Sequence, residues 1–471
     1  MVSAKKPNTI VPGDVPVKLV KEFTPELAKP ATLIFNTITS TCEYPRQWVI
    51  EHQLAIPKVY PPQSVDDLRN ISSTSFLSKV FESFIGEWLF PYIEPYLDPG
   101  QCGGLKGSSI SHYLVKLLHF IHSYLDKNDP YAVLLVMMDL EKAFNRVSHQ
   151  LVIEDLAAMH VPRWLLLILI SYLTDRSMFM RYRDAVSSIR ALPGSSPQGT
   201  FLGVLLFIIV FNGALLRPSV PRPDSLNLKY IDDLSLLQAI KLRDALVNDN
   251  IVRQFPLTKT ESHGLMLPAK NNPLQESLSE LRTFTDKKFM KIKESKTKIM
   301  KFSFSHQYDF PTEVQVEGFS SQLEEIQQTK LLGVMISSDL KWSGNTEYIC
   351  KKAYKRIWIL RRLRTLGVSP SFILDVYIKE IRSVLELAVP AWHSGLTRKQ
   401  SVLIERVQKV AVRIILGDFS IGYRAALSTL GLESLETRRV TICKTFVKKS
   451  LKSRHSNMFA ENTSTYETRN R

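Results

Sequence analysis

The sequence predicts an α+β fold, and three observations carry that expectation. The run YAVLLVMMD at residues 131–139 is continuously apolar and rich in strand formers, as a strand buried on both faces is. KYIDDLSLL at 229–237 reads as a second strand, interrupted by two adjacent acids. From about residue 345 to 455 the pattern turns helical and basic, most densely in KKAYKRIWILRRLRTLG.

The other elements follow in order. Residues 15–42 carry apolar positions at helical spacing, and YPRQWVIEHQLAIPKV then predicts a break and a short strand ending at Pro57-Lys58. SFLSKVFESFIGEWLFPYI predicts a helix, QCGGLKGSS a glycine-rich loop, and HYLVKLLHFIHSYLDK another helix. Residues 151–174 are helical by pattern, and MFMRYRDAVSSIRAL alternates as a hairpin does. LPGSSPQGTFLGVLLFIIVF runs from a turn into a buried helix, and residues 213–227, with three prolines, read as a loop. Residues 241–273 show no firm pattern. LQESLSELRTFTDKKF predicts a helix, SKTKIMKFSF a strand, TKLLGVMISSDLKW a hairpin, and the last fifteen or so residues a polar tail.

Composition narrows the function classes. With 44% hydrophobic and 10% aromatic residues in 471, the chain has material for more than one core, which excludes wholesale disorder. Lysine and arginine number 61 against 45 acids, a formal net charge of +16 that predicts a polyanionic partner, nucleic acid ahead of an anionic membrane surface. The four cysteines are scattered without a CxxC pair, which points to a reducing compartment and against a disulfide framework or zinc cluster. The amino terminus lacks the apolar core of a signal peptide. The runs WLLLILISYL and FLGVLLFIIVF are about half of the roughly 20 residues that a membrane span needs, so both read as core.

The adjacent acids pose a charge problem. Asp232 and Asp233 within a strand would be desolvated and would repel, and on their own they read best as a solvated hairpin turn. Asp139 alters that reading, because it ends the apolar run at 131–139 as Asp232 follows an apolar approach. Neighbouring strands ending in these residues would gather three carboxylates, which need bound cations. Hard oxygen ligands of this kind suit magnesium, and two such ions can serve an in-line phosphoryl displacement.

At this point the chain resembles a reverse transcriptase of the non-LTR (LINE-type) retrotransposon family. IPKV and DLRNISSTSFLSKVFE resemble the fingers, QCGGLKGSS the loop after them, and VMMDLEKAFNRV the first catalytic block. SSPQGTFLG is similar to the nucleotide-pocket block, KYIDDLSLL to the second catalytic block, and ESKTKIMKF with TKLLGVMIS to the blocks closing the palm. Each is weak alone; their order and spacing together are specific.

The resemblance implies an α+β right-hand polymerase, with fingers and a palm of antiparallel sheet backed by helices, and a helical thumb. Residues 1–130 would be fingers and amino-terminal extension, 131–342 palm with a finger insertion, 343–455 a basic thumb-like region and 456–471 a tail. It implies that Asp139, Asp232 and Asp233 hold two magnesium ions, manganese being the alternative, with the Leu140 carbonyl a further ligand. Asp233 is the lesser ligand, since neighbours on a strand face opposite ways. A primer 3′ hydroxyl would attack the α-phosphate of a dNTP.

By the same resemblance Phe144 would collide with a ribose 2′ hydroxyl, and Gln198 and Gly199 would line the nucleotide pocket. Lys58 and Arg69 would grip the triphosphate. Lys296 would protonate the leaving pyrophosphate, in preference to Lys298. Lys351, Lys352, Lys355, Arg356, Arg361, Arg362 and Arg364 would meet the phosphates of an RNA template and DNA primer.

Some positions depart from the family pattern. Arg69-Asn70-Ile71-Ser72 stands where the family often has R-P-I-S, without the proline that stiffens the loop, and Asn145 stands where aspartate is common. No endonuclease-sized region, cysteine and histidine knuckle or second acidic cluster is legible, so a truncated or decayed element that only binds nucleic acid is the competing expectation. An RNA-dependent RNA polymerase is disfavoured by YIDD and Phe144. The expected location is intracellular, in cytoplasm or nucleus, without a membrane; oligomeric state stays open.

Overall fold

The computed structural model describes residues 14–214, 224–242, 273–304, 314, 316, 318–418 and 420–459. The unpatterned stretch at 241–273 therefore lies almost wholly outside the described residues. The chain opens with α1 (Val17–Glu22) and α2 (Thr24–Thr41), then β1 (Ile50–Pro57), β2 (Leu68–Ser73), α3 (Phe76–Ile93) and α4 (Ile110–Leu125). Next come β3 (Tyr131–Met138), α5 (His149–Ala158), α6 (Arg163–Leu173), β4 (Ser177–Tyr182), β5 (Ala185–Val186), β6 (Arg190–Ala191) and α7 (Phe201–Val210). Where one helical stretch was expected over 151–174 there are two helices, because His160 at φ 57° and Pro162 break the ladder between them. The stretch 15–42 likewise divides at Phe23.

β7 (Ser225–Tyr230) and β8 (Asp233–Lys241) form a hairpin, followed by α8 (Pro273–Lys287), β9 (Lys298–Phe302), β10 (Glu324–Glu325), β11 (Gln328–Leu331) and β12 (Val334–Ser337). One sheet has the order β2-β1-β4-β5, with β6 against β4; a second, the central one, has the order β10-β9-β3-β8-β7. In the central sheet β3 runs antiparallel to both β8 and β9.

β3 is buried on both faces, as its unbroken apolar run predicts. Leu134, Val136 and Met138 enter one core, with α3, α5, α6 and α7. Val133, Leu135 and Met137 enter another, with α4 and the carboxy-terminal helices. The sheet thus ties two cores together, and the end of β3 is held from both sides. Helix α7 is apolar all round and buried from Leu205 to Val210, as a central helix is. Among the described residues no helix is long and apolar enough to cross a membrane.

Beyond the β11–β12 hairpin the chain is helical. α9 (Ser343–Thr365), α10 (Pro370–Val376), a π-helical turn (Tyr377–Arg382) and α11 (Ser383–Leu385) lead to α12 (Val389–Trp392). α13 (Arg398–Leu416), α14 (Tyr423–Thr429) and α15 (Leu435–Ser450) follow. α9 buries Ile349, Ala353, Ile357 and Leu360 against α13, whose start is fixed by a capping box between Thr397 and Gln400.

Candidate active site

The register of the central sheet assembles the acids. Tyr230 pairs with Asp233, so Ile231 and Asp232 alone make the turn of the β7–β8 hairpin. Met138 pairs with Leu234, which sets Asp139, the next residue, beside that turn. Ile231 sits at φ 62°. For a β-branched residue this left-handed conformation costs about 1–2 kcal/mol, strain of the kind that collects at functional sites.

The electrostatics agree with the geometry. Asp232 is pushed above the usual carboxylate range by burial first and then by the charge of Asp139, while Arg69 and Lys296 act in the opposite sense. Asp233 is raised to about 6, by burial and then by Asp232 and Asp139. The Lys296 ammonium donates to Asp139 Oδ2 at 2.5 Å. Lys298, two residues on, is paired with Glu324 instead.

The fit to divalent ions rests on donor chemistry. Among the described residues no three acidic, histidine or cysteine side chains already converge to hold an ion. Yet three mutually repelling carboxylates with one ammonium among them form a hard-oxygen set short of positive charge, which suits magnesium or manganese. The antiparallel bridge of Leu140 to Ile292 takes its hydrogen bonds from Asp139, which accepts from Lys293 N–H at 2.8 Å, and Glu141, which donates to Lys291 at 2.7 Å. It does not use the Leu140 carbonyl.

Asp139, Leu140 and Asp232 open on a cavity of about 990 Å³ that is also lined by Lys58, Arg69, Phe144, Gln198 and Lys296. Lys58 and Arg69 reach it from the β1–β2 hairpin, whose connecting loop is organised by Asp67 accepting from Gln63 and Ser64 N–H, both at 2.9 Å. Phe144 lies on a 3₁₀ turn (Ala143–Arg146) and stacks on Phe207 of α7 at 5.0 Å. Ser72 N–H donates to the Gln198 carbonyl at 2.8 Å, fastening the turn before α7 to β2. Gly199, at φ 120°, and Asp233 lie outside the lining; a methyl carbon at Gly199 would stand 3.2 Å from the Ser72 carbonyl.

A model of the family described as reverse transcriptase (RNA-dependent DNA polymerase) matches residues 56–336. The chain belongs to the reverse transcriptase family. It is 26% identical over 397 residues to the probable RNA-directed DNA polymerase from transposon BS of Drosophila melanogaster, covering 81% of this chain and 40% of that protein. It is 26% identical over 215 residues to the RNA-directed DNA polymerase from mobile element jockey of the same species, covering 44% and 23%. The chain thus spans about two-fifths of the length of the first of these relatives. The matches support the resemblance to LINE-type enzymes. A solved telomerase from Candida Tropicalis, in complex with a TWJ fragment of telomeric RNA, is similar at 11% identity and TM-score 0.39, covering 88% of this chain and 67% of that one.

Within this member of the family the expected thumb cations divide. Lys351, Lys355, Arg361 and Arg362 are exposed on α9, around the exposed rings of Tyr354 and Trp358. Lys352 sits over the Tyr348 ring, and Arg356 is engaged with Glu380, donating to its backbone carbonyl at 2.5 Å. Arg364 is exposed too, but donates to the carbonyls of Ile415 at 3.1 Å and Leu416 at 3.2 Å, closing the end of α13. Arg282, Lys291 and Lys293, which motif reading passed over, also line the cavity. For Lys291 and Lys293 the signal was the density of lysine in KKFMKIKESKTK; for Arg282, on α8, there was none.

Proposed function

We propose that the chain is a two-metal, RNA-directed DNA polymerase of a non-LTR retrotransposon, adding dNTPs to a primer 3′ hydroxyl. The observation that carries this reading is the convergence of Asp139 and Asp232 on one cavity with the cations Lys58 and Arg69 and the ring of Phe144. When bound, the two cations would lower the pKa of the attacking hydroxyl and neutralise charge on the leaving oxygen. Asp139 and Asp232 would hold them, with the Leu140 carbonyl and, less directly, Asp233.

The chain's other residues bind and orient. Lys58 and Arg69 meet the triphosphate, where negative charge builds as pyrophosphate departs. Gln198 fixes the nucleotide from the turn before α7. Phe144 closes the sugar side. Lys296, whose side chain lines the cavity beside Asp139, is the proton donor for the leaving pyrophosphate. The exposed α9 cations and the net charge of +16 supply a face for template and primer phosphates.

Primer extension on an RNA template with a DNA primer tests the reading. Asp232→Asn should lower the rate by on the order of 10³, since it removes several kcal/mol of metal-dependent stabilisation. Equal extension by wild type and variant would end the assignment. Duplex binding that weakens steeply with salt, without extension under magnesium or manganese, would instead mark a binding-only remnant.

A further inference from the structure

The strained turn that carries Asp232 has a support outside the catalytic motifs. Residues 100–102 run beside β7 as a short extra strand: Lys229 N–H donates to the Gly100 carbonyl at 3.0 Å, and Cys102 N–H donates to the Lys229 carbonyl at 2.8 Å. Gln101, 2% exposed, sits at the centre of this bridge. Its Oε1 accepts from Ile231 N–H at 3.1 Å and from Gly103 N–H at 3.0 Å. One side-chain oxygen therefore ties the loop to the residue held at positive φ, next to Asp232.

The surroundings leave this contact little freedom. A methyl carbon at Gly103 would lie 2.6 Å from Ile231 N, so only glycine lets the loop come this close. The register of the bridge is locked by the buried Lys229 ammonium, which lies 2.8 Å from Asp98 Oδ2 and donates to the Phe211 carbonyl at 2.9 Å. Asp98 Oδ1 in turn accepts from Gly100 N–H at 2.8 Å. Loop, strand and helix end are thus joined beneath the turn.

We infer that Gln101 is a positioning residue for polymerisation: its side-chain oxygen holds the backbone of Ile231 and so aims the Asp232 carboxylate into the cavity. The inference rests on the reading of Asp232 as a catalytic ligand. The Ile231 side chain packs against the core that holds α7, but it is Gln101 that takes up the Ile231 backbone amide, the group that fixes the direction of this two-residue turn. Without the acceptor the Ile231 amide is left unpaired and the turn can relax out of its left-handed conformation, away from the geometry the carboxylate needs.

The test uses the full chain and two variants. Gln101→Leu keeps the volume and removes the acceptor; Gln101→Glu keeps an oxygen in the same place. Hydrogen exchange over 228–234 and steady-state extension are measured together. Expected for Gln101→Leu are roughly tenfold faster exchange at Ile231 and a fall in kcat of about tenfold or more, with the KM for dNTP and duplex affinity within about twofold of wild type. Gln101→Glu should restore most of the exchange protection. Wild-type protection in Gln101→Leu, or lost kcat with protection intact, overturns the inference. If Gln101→Leu fails to fold, Gly103→Ala, which keeps the acceptor but presses on Ile231, must show the same rise in exchange over 228–234, and unchanged exchange there overturns it. The inference and the site assignment fail separately: an Asp232→Asn variant that extends normally removes the site, whereas unchanged Ile231 protection beside an inactive Asp232→Asn removes Gln101 alone.

Discussion

Phe144 shows how one side chain serves packing and selection together. Its ring is 8% exposed and stacked on Phe207, yet it lines the cavity shared with Asp139 and Asp232. Phe144→Val should therefore have two effects. Ribonucleotide incorporation relative to dNTP should rise by on the order of tenfold or more, as expected when bulk leaves an apolar contact of this size. Stability should fall by about 2 kcal/mol, because Phe207 loses one of its two stacked ring partners. Competing rNTP and dNTP incorporation measures the first and a denaturation midpoint the second; unaltered sugar discrimination would remove the steric role. Individual residues were legible in the sequence where a motif fixed both type and place, as with Asp139, Asp232 and Phe144. Lys296 and Lys298 could not be separated by spacing, since residues two apart share a strand face. The fold separates them, because Lys296 lies in a 3₁₀ turn (Glu294–Lys296) and β9 starts only at Lys298. Arg356 and Arg364 illustrate the limit: a run of charge does not reveal which members bind carbonyls of their own fold.

The hairpin β7–β8 and the loop beside it form the element on which the acids depend. Its second strand was legible from apolar spacing and its turn from the pair of aspartates, but the first half of β7, Ser225 to Asn227, falls in the stretch 213–227 that reads as a loop, because its prolines mask the short strand that follows them. The buried ion pair below it was not, because Lys229 opens the motif as an ordinary polar strand end and Asp98 belongs to a distant loop. Burial pulls the Lys229 ammonium below its ordinary pKa, with Asp98 acting in the opposite sense. Removing one charge should cost far more than removing both. Asp98→Asn leaves an uncompensated buried ammonium and should lose about 3–5 kcal/mol, whereas Asp98→Leu combined with Lys229→Met should recover a large part of that loss. Urea denaturation of the single and double variants reads the difference. Strictly additive losses would mean that the two charges do not depend on each other.

Across the whole molecule the carboxy-terminal chain returns to the loop that runs beside the β7–β8 hairpin. The composition past 455 reads as a polar tail, and the residues just before it are anchored: His455 bonds Ser108 at 2.6 Å, His112 bonds Ser450 at 3.0 Å, and Arg454 donates to the Asp98 carbonyl at 3.3 Å. The rings of His112 and His455 stack at 4.3 Å between centroids. No periodicity could announce this clasp, since it depends on two histidines 343 positions apart meeting in the fold (455 − 112). Burial holds both imidazoles neutral, with Lys116 adding to the effect, so that His112 falls to about 4 and His455 to about 3. In the unfolded chain each takes its proton near 6.5. Between about 4 and 6.5 the unfolded state therefore binds more protons than the folded one, and stability is lost as pH falls through that window. Between pH 6.5 and 5 His112 alone should withdraw on the order of 2 kcal/mol. His52, His149 and His393 are also held down by burial, so the effect is read as a difference between two proteins. His455→Gln removes one titrating ring and the stacked charge that protonation would create, and should lose less stability than wild type between pH 7 and 5. Hydrogen exchange over 450–459 should rise in wild type at pH 5 before the central sheet is exposed, because the segment is held by these few contacts. Equal pH slopes for wild type and His455→Gln would show that the clasp does not titrate and that some other buried histidine sets the acid limit.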